Sequence, residues 1–157
     1  MFQAQRGFEV VGFAVFMIGT AVLALIDART MRIPNRLLYP VFWSGLMLLT
    51  CSAACSVSWS RLTIALASAA TTAAVFLLLH RTSGLGRGDV RLSGLLGLFL
   101  GWFGPATVLT GLVLGTLFAG MFGAALLVAG RADRRKRLPY GPFLIFGSWL
   151  ALLLAVA

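Results

Sequence analysis

The sequence predicts an all-α polytopic membrane protein of about six transmembrane helices, the fourth of them short. Three observations carry that expectation. Hydrophobic residues make up 60% of the 157 positions, the mean hydropathy is +0.98, and only 11% of residues are charged. A soluble domain is roughly half apolar and about a quarter charged, so too few polar residues are present to cover a water-facing surface. The apolar residues also fall into runs of about the 20 needed to cross a bilayer as a helix. Between those runs lie short segments that hold nearly all the cations. The length suits one domain, taken as residues 1–157.

The first span runs from about Phe8 to Ile26. The N-terminus has neither a basic start nor a small-residue cleavage site, so a removable signal peptide is not expected. The second runs from about Leu37 to Ala54, with Pro40 in its first turn or so, where proline is tolerated. Cys51 and Cys55 lie four apart on one face of it. Two thiols and the lone His80 do not make a four-ligand site, so the cysteines read as small packing residues and no metal or cofactor is expected.

The third span covers Leu62 to Leu79, and the fourth Val90 to Phe103. At 1.5 Å per residue the fourth is too short for ~30 Å of hydrocarbon, which predicts that it is buried among the others. The fifth covers Ala106 to Ala129, and the sixth begins at Gly141. Gly97/Gly101 and Gly111/Gly115 repeat a G-x-x-x-G spacing that lets helix backbones approach closely.

Charge sets the topology. The formal net charge is +9 and the isoelectric point about 11.5, but a nucleic-acid reading needs a basic stripe on a soluble fold. Here Arg29, Arg32 and Arg36 follow span one, and Arg81, Arg87 and Arg91 follow span three. Arg131, Arg134, Arg135, Lys136 and Arg137 follow span five. Only Arg6 and Arg61 fall in the alternate segments, so the positive-inside rule places the first set in the cytoplasm and both termini outside.

That topology brings two of the four acids to one interface. Asp27 ends span one and Asp89 opens span four, while Glu9 belongs to the other side. Asp133, inside the basic run, reads as a solvated counter-charge. Either aspartate alone is compatible with a helix-end cap. Two on one face, in a chain this poor in acid, point to chemistry, because an ionisable group at the membrane is a functional candidate by default.

Two close carboxylates cannot both ionise cheaply, so the pair keeps one proton between them. One can then take a proton from an attacking water while the other donates to a carbonyl oxygen and a leaving nitrogen. Gly86 and Gly88 beside Asp89 are free to take positive φ and to admit a substrate backbone. The stretch is not a G-x-G-x-x-G nucleotide loop, since its spacing differs and no strand precedes it.

Three stretches together resemble the type IV prepilin peptidase family. "DARTMRIPN" from Asp27 is similar to its first motif, an aspartate followed by Ile-Pro-Asn. "GLGRGDVRL" from Gly84 resembles the second, G-x-G-D continuing Val-Lys-Leu, with Arg91 in place of the lysine. "LPYGPFLIFG" from Leu138 is similar to the family's Pro-Phe-Gly-Pro-Phe segment, with Tyr140 in place of a phenylalanine. The resemblance implies a single membrane peptidase domain that cuts the basic leader from prepilins or pseudopilins, after a glycine, on the cytoplasmic side of a bacterial plasma membrane. By motif it implies Asp27 and Asp89 as the catalytic pair, with Gly86 and Gly88 shaping the loop. Pro34 and Asn35 would turn the chain into span two, Asn35 also capping that helix. Tyr140, Gly141 and Pro142 would wall the cleft.

Larger members carry an N-terminal cytoplasmic region with cysteine pairs linked to N-methylation. With span one beginning near Phe8, methyl transfer is not expected, and the short form serving tight-adherence (Flp) pili is the nearer likeness. Enzyme face and leader would both be basic, so charge opposes their direct encounter. Anionic lipid head groups are the expected common partner, and no nucleic acid is. Two alternatives stand beside the peptidase: a small proton- or cation-coupled transporter subunit, and a non-catalytic assembly factor of a secretion system.

Overall fold

A computed structural model of the chain describes residues 2–83, 86–129 and 140–157. Six helices and no strand occur among the described residues: α1 (Phe2–Thr30), α2 (Asn35–Ser56), α3 (Trp59–Ser83), α4 (Arg87–Gly101), α5 (Pro105–Val128) and α6 (Gly141–Val156). The chain is thus an all-α polytopic membrane protein. Four helices have the length and apolarity to cross a membrane: Gln5–Thr30, Asn35–Ser56, Trp59–Thr82 and Pro105–Val128. The six expected spans therefore appear as four of spanning length and two shorter helices, α4 and α6. Asp133 and the basic run around it, Gly84, and the Leu138-Pro139 start of the third motif lie outside the described residues.

Local sequence sets the breaks. Thr30 Oγ1 donates back to Ile26 O at 2.8 Å, and the Met31 amide donates to Asp27 O at 2.8 Å. Met31 itself takes φ 51°, and proline at 34 disfavours helix at the residue before it. The chain re-enters helix with Pro34 as the N-cap of α2. Gly104 at φ +123° precedes Pro105 at the first position of α5. Only glycine adopts that backbone cheaply, and proline suits a first helical turn.

The helices pack chiefly in sequential pairs, α1 with α2, α3 with α4 and α5 with α6. In lipid no hydrophobic force drives helices together, so close packing and interhelical hydrogen bonds must hold them. The G-x-x-x-G expectation holds in detail. A Cβ on Gly97 would lie 2.8 Å from Ser68 O, and one on Gly101 would lie 2.9 Å from Ala65 Cα, so α4 rests directly on α3. Gly115 meets Leu144 Cα at 2.9 Å in the same sense, and Gly147 faces the Gly115 backbone. Thr72 Oγ1 donates to Ser93 O at 2.9 Å across α3 and α4.

α4 is the centre of the molecule. Every residue from Leu92 to Gly101 is buried, as expected for a helix too short to span alone. Phe99 stacks on Phe16 of α1 at 4.3 Å and meets Phe13 edge-on at 5.3 Å, and Gly45 of α2 leaves room for the same ring. Large apolar side chains such as Ile18, Leu25, Met47, Leu109 and Val128 point outward, the pattern of a surface facing lipid.

One boundary differs from expectation with consequences. α4 begins at Arg87, three residues before the predicted start, so Asp89 sits in its first turn rather than in a flexible glycine hairpin. Gly86 is the N-cap at φ −63°, and Gly104 is the only glycine at positive φ among the described residues. The physical reason is that Asp89 itself favours a helix start, a carboxylate near a helix N-terminus being stabilised by the exposed amides.

The glycine seams make a quantitative expectation. Gly97→Leu forces α3 and α4 apart and lowers stability by about 1–3 kcal/mol, the usual cost of overpacking. Gly120→Ala, where nothing lies within 4 Å of the new methyl, leaves it unchanged or slightly raised. Thermal unfolding in detergent micelles separates the two; equal melting shifts would show that the α3–α4 seam is not tight.

Candidate active site

The two motifs meet at one end of the bundle. Asp27 lies in the last turn of α1 and Asp89 in the first turn of α4, and both line one cavity of about 300 Å³. Met31, Ile33 and Asn35 contribute to it from the α1–α2 connection, and Gly86 and Gly88 from the start of α4. Three arginines, Arg32, Arg87 and Arg91, complete the lining. Glu9 lies near the opposite end of α1, where Ser52 Oγ donates to its Oε1 at 3.0 Å.

The two carboxylates have different surroundings. Asp27 is only 5% exposed, and its Oδ2 is buried with no hydrogen-bond partner. It also stands at a helix C-terminus, the end at which the backbone dipole disfavours a negative charge. Capping of its own helix therefore does not account for Asp27, although the Gly141 N–H at the start of α6 donates to its carboxylate. Asp89 is half-buried, and the Gly86 N–H donates to its carboxylate. An acid three residues past the N-cap, reaching back to the N-cap amide, is half of a capping box, so the capping expectation holds for Asp89. Burial first, and the Asp27 carboxylate second, push its carboxyl up to about 6 against the pull of the Gly86 N–H.

The glycines owe their place to space rather than to positive φ. A Cβ on Gly86 would lie 2.9 Å from Asp89 Oδ2, and one on Gly88 would lie 3.0 Å from Ile33 Cβ. A Cβ on Gly141 would lie 2.5 Å from Asp27 Oδ2 and 3.5 Å from Ile33 Cδ1. Three glycines on two segments, the starts of α4 and α6, thus clear room for two carboxylates and one isoleucine. Ile33 is the residue that motif reading passed over. It stands between the start of α4 and the start of α6, beside both acids, and its place inside Ile-Pro-Asn was the available signal.

Asn35 does not cap α2, whose N-cap is Pro34 with no side-chain cap bond. Its Oδ1 instead accepts from Arg91 Nη1 at 2.6 Å, joining α2 to α4. Of the proposed cleft wall, only Gly141 reaches the aspartates. Tyr140 lines an apolar hollow with Phe143 and residues of α5, and Pro142 lines another with Phe118 and Phe146. Neither is in the lining of the carboxylates' cavity, and Gly141 is the residue of the three whose Cβ position meets Asp27.

Chemically, the arrangement offers two acids of unlike burial around a polar cavity large enough for water and a peptide bond. Among the described residues, no group of three or more His, Cys, Asp and Glu side chains is placed to hold a metal ion.

A model of the type IV leader peptidase family matches residues 14–128, a stretch that includes Asp27, Asn35, Gly86, Gly88 and Asp89. The chain is 31% identical over 144 residues to the prepilin leader peptidase/N-methyltransferase of Aeromonas salmonicida, which covers 83% of this chain and 45% of that protein. It is 34% identical over 153 residues to the protein of the same name from Burkholderia pseudomallei, covering 86% and 44%. With the Pseudomonas aeruginosa protein the figures are 29% over 138 residues, 86% and 46%. The chain spans about half the length of these curated relatives. No solved structure matches it.

The raised Asp89 pKa carries a stability consequence. Between about pH 4 and pH 6 the folded protein holds a proton at Asp89 that the unfolded chain, with a carboxyl near 3.9, has released. Stability therefore falls as pH rises through that window. The wild type should melt at a lower temperature at pH 6.5 than at pH 4. Asp89→Asn should flatten this slope and be the more stable of the two at pH 7. Parallel melting curves across the range would remove the case for a buried, coupled carboxylate.

Proposed function

The chain belongs to the type IV leader peptidase family, and from that premise we propose that it is a membrane-embedded aspartic endopeptidase cleaving the leader from type IV prepilins or pseudopilins. The observation that supports this most is the buried Asp27 carboxylate, its Oδ2 without a hydrogen-bond partner, sharing a cavity with Asp89. A purely structural aspartate would have both carboxylate oxygens hydrogen-bonded, ion-paired or exposed. Asp27 keeps one buried oxygen bare.

The geometry suggests a division of labour. A neutral carboxyl is far cheaper to bury than a charged one, so Asp27 Oδ2 is the natural seat of the shared proton. Asp89, nearer the open side, is the member that meets water. As the water oxygen attacks the scissile carbonyl carbon, Asp89 takes its proton and Asp27 donates to the carbonyl oxygen. Collapse of the tetrahedral intermediate passes a proton to the leaving nitrogen and breaks the C–N bond. The pair titrates as a unit, so pH dependence belongs to the dyad rather than to one residue.

The surrounding arginines support a cytoplasmic placement of this end, with both termini outside. They also support an encounter with the basic leader at anionic lipid rather than by direct attraction. Flp-type pilins of tight-adherence systems are the first substrates to try.

The test uses purified protein in detergent with a prepilin carrying its leader. Asp27→Asn and Asp89→Asn should each lose cleavage by at least about 10²–10⁴-fold, the contribution of general acid–base catalysis. Both should keep the wild-type helix content. Cleavage by either variant at the wild-type rate would end the dyad reading.

A further inference from the structure

The dyad straddles a seam. Asp27 belongs to the α1–α2 pair and Asp89 to the α3–α4 pair, so the distance between the carboxylates depends on how those pairs are held together. Deep in the bundle they are joined by Phe99 of α4, packed on Phe13 and Phe16 of α1. Phe99 is ten residues beyond Asp89, about 15 Å along the helix axis. A contact that far away acts as a pivot and leaves the carboxylate end free to splay.

At that end the apolar packing is thin. An apolar cleft of about 400 Å³ separates α2 from α3 just beyond the carboxylates, with Arg91 and Gly94 of α4 in its lining. Arg91 also lines the carboxylates' cavity, so its side chain stands between the two spaces. Ile33 lies against Gly88, where an added Cβ would be 3.0 Å from the isoleucine Cβ. The Arg91–Asn35 bond at 2.6 Å is the only side-chain hydrogen bond between the α1–α2 and α3–α4 pairs among the described residues.

Resting on the dyad reading above, we propose that the Asn35–Arg91 hydrogen bond is a positioning device, a tie across the seam that keeps the Asp27 and Asp89 ends in register. Neither residue touches the reacting atoms in this role. Asn35 sits at the first turn of α2, four residues after the left-handed Met31 that ends the Asp27 helix. Arg91 follows Asp89 by two positions on α4, and its guanidinium reaches across to Asn35 of α2. One bond therefore fixes the segment next to each acid. Among the described residues, the charged groups that line the pair's cavity are Arg32, Arg87 and Arg91. Neither α3 nor α6 adds a charged side chain to the cavity lining.

The experiment reads the carboxylates directly, apart from cleavage. Asp27, Asp89 and Asp133 are the only aspartates, so ¹³C-carboxyl labelling of aspartate gives three resonances to titrate in micelles. Three variants, Asn35→Ala, Arg91→Ala and the double, test the tie. In Asn35→Ala, which keeps the Arg91 charge, the upper dyad titration should move down by about half a unit to one unit as like-charge coupling weakens. The other two also lose a cation, which acts in the upward sense, and are compared by activity. All three should lower kcat/KM by similar factors of about three to ten, with the double no worse than either single, as for a single shared bond. Asn35→Gln and Arg91→Lys, which keep an amide acceptor and a cation and can still pair, should retain the wild-type titration.

Three results would overturn the tie: an unchanged titration in Asn35→Ala, additive losses in the double variant, or a larger loss in Asn35→Ala that Arg91→Ala reverses. The last would mean that Asn35 only restrains the arginine. Should any single variant fail to fold, the charge-retaining pair and the remaining single still decide the question. A titration shift in a protein that cleaves no prepilin would keep the tie and reject the peptidase, so the two readings fail separately.

Discussion

The constraint on which the site depends is the burial of one carboxylate that a backbone N–H offsets only in part. Asp27 stands at the negative end of α1, almost out of reach of solvent, with a bare oxygen against Gly141. Each of these features costs free energy, because an unpartnered buried polar group and an acid at a helix C-terminus are both unfavourable. The rest of the molecule can be read as the means of holding it there. Gly141 supplies the space, Ile33 the apolar wall, and Asp89 the neighbour whose charge makes a retained proton worthwhile. Strain of this kind persists only where surrounding packing over-determines the geometry.

That packing is concentrated far from the acids. The Phe13, Phe16 and Phe99 cluster and the glycine seams of α3–α4 and α5–α6 lie along the helices. Because lipid supplies no hydrophobic drive, backbone-to-backbone approach does what a large apolar core does in water. The carboxylate end is left polar, open and thinly packed. Fold and site are therefore built by different residues, which is why the glycines of the seams and those beside the acids serve unlike purposes. The first set brings backbones together; the second keeps side-chain oxygens and Ile33 from being crowded.

Much of this was legible in the sequence, for identifiable reasons. Long apolar runs with cations confined between them yield helices and their order with little ambiguity. The G-x-x-x-G spacings marked the close-packing faces of α4 and α5 because a small residue every four positions makes a flat helix face. Asp27 and Asp89 stood out because acids are so rare here. What escaped was whatever depends on local competition or on orientation about a helix axis. The start of α4 was placed three residues late because Gly86 and Gly88 look like loop formers. Asp89 outweighed them by bonding back to the Gly86 amide. Asn35 resembled a cap by residue type, yet Pro34 occupies that position and the amide turns to Arg91 instead. Tyr140 and Pro142 shared a motif with Gly141, but helical rotation carries only Gly141 to the acids. Ile33 went unnoticed because an apolar residue in an apolar chain carries no signal until its neighbours are known.

The short fourth helix ties these points together. Fifteen residues make a rod of about 22 Å, against a hydrocarbon thickness of ~30 Å. Such a helix can reach only part of the way, so it must be enclosed by longer ones, and α4 is buried from Leu92 onward. Enclosure lets its first turn lie beside other protein segments instead of lipid, and that is where Asp89 sits. A longer helix would have carried Asp89 out into the aqueous layer, where its charge would be cheap and its coupling to Asp27 weak. A helix deeper in the bundle would have denied it water, which the proposed hydrolysis would consume. The cavity of about 300 Å³ has room for several waters, each occupying about 30 Å³ in the liquid. Its arginine-lined rim keeps that water in contact with the outside. The length of α4 thus sets the balance between a carboxylate buried enough to share a proton and one wet enough to use it.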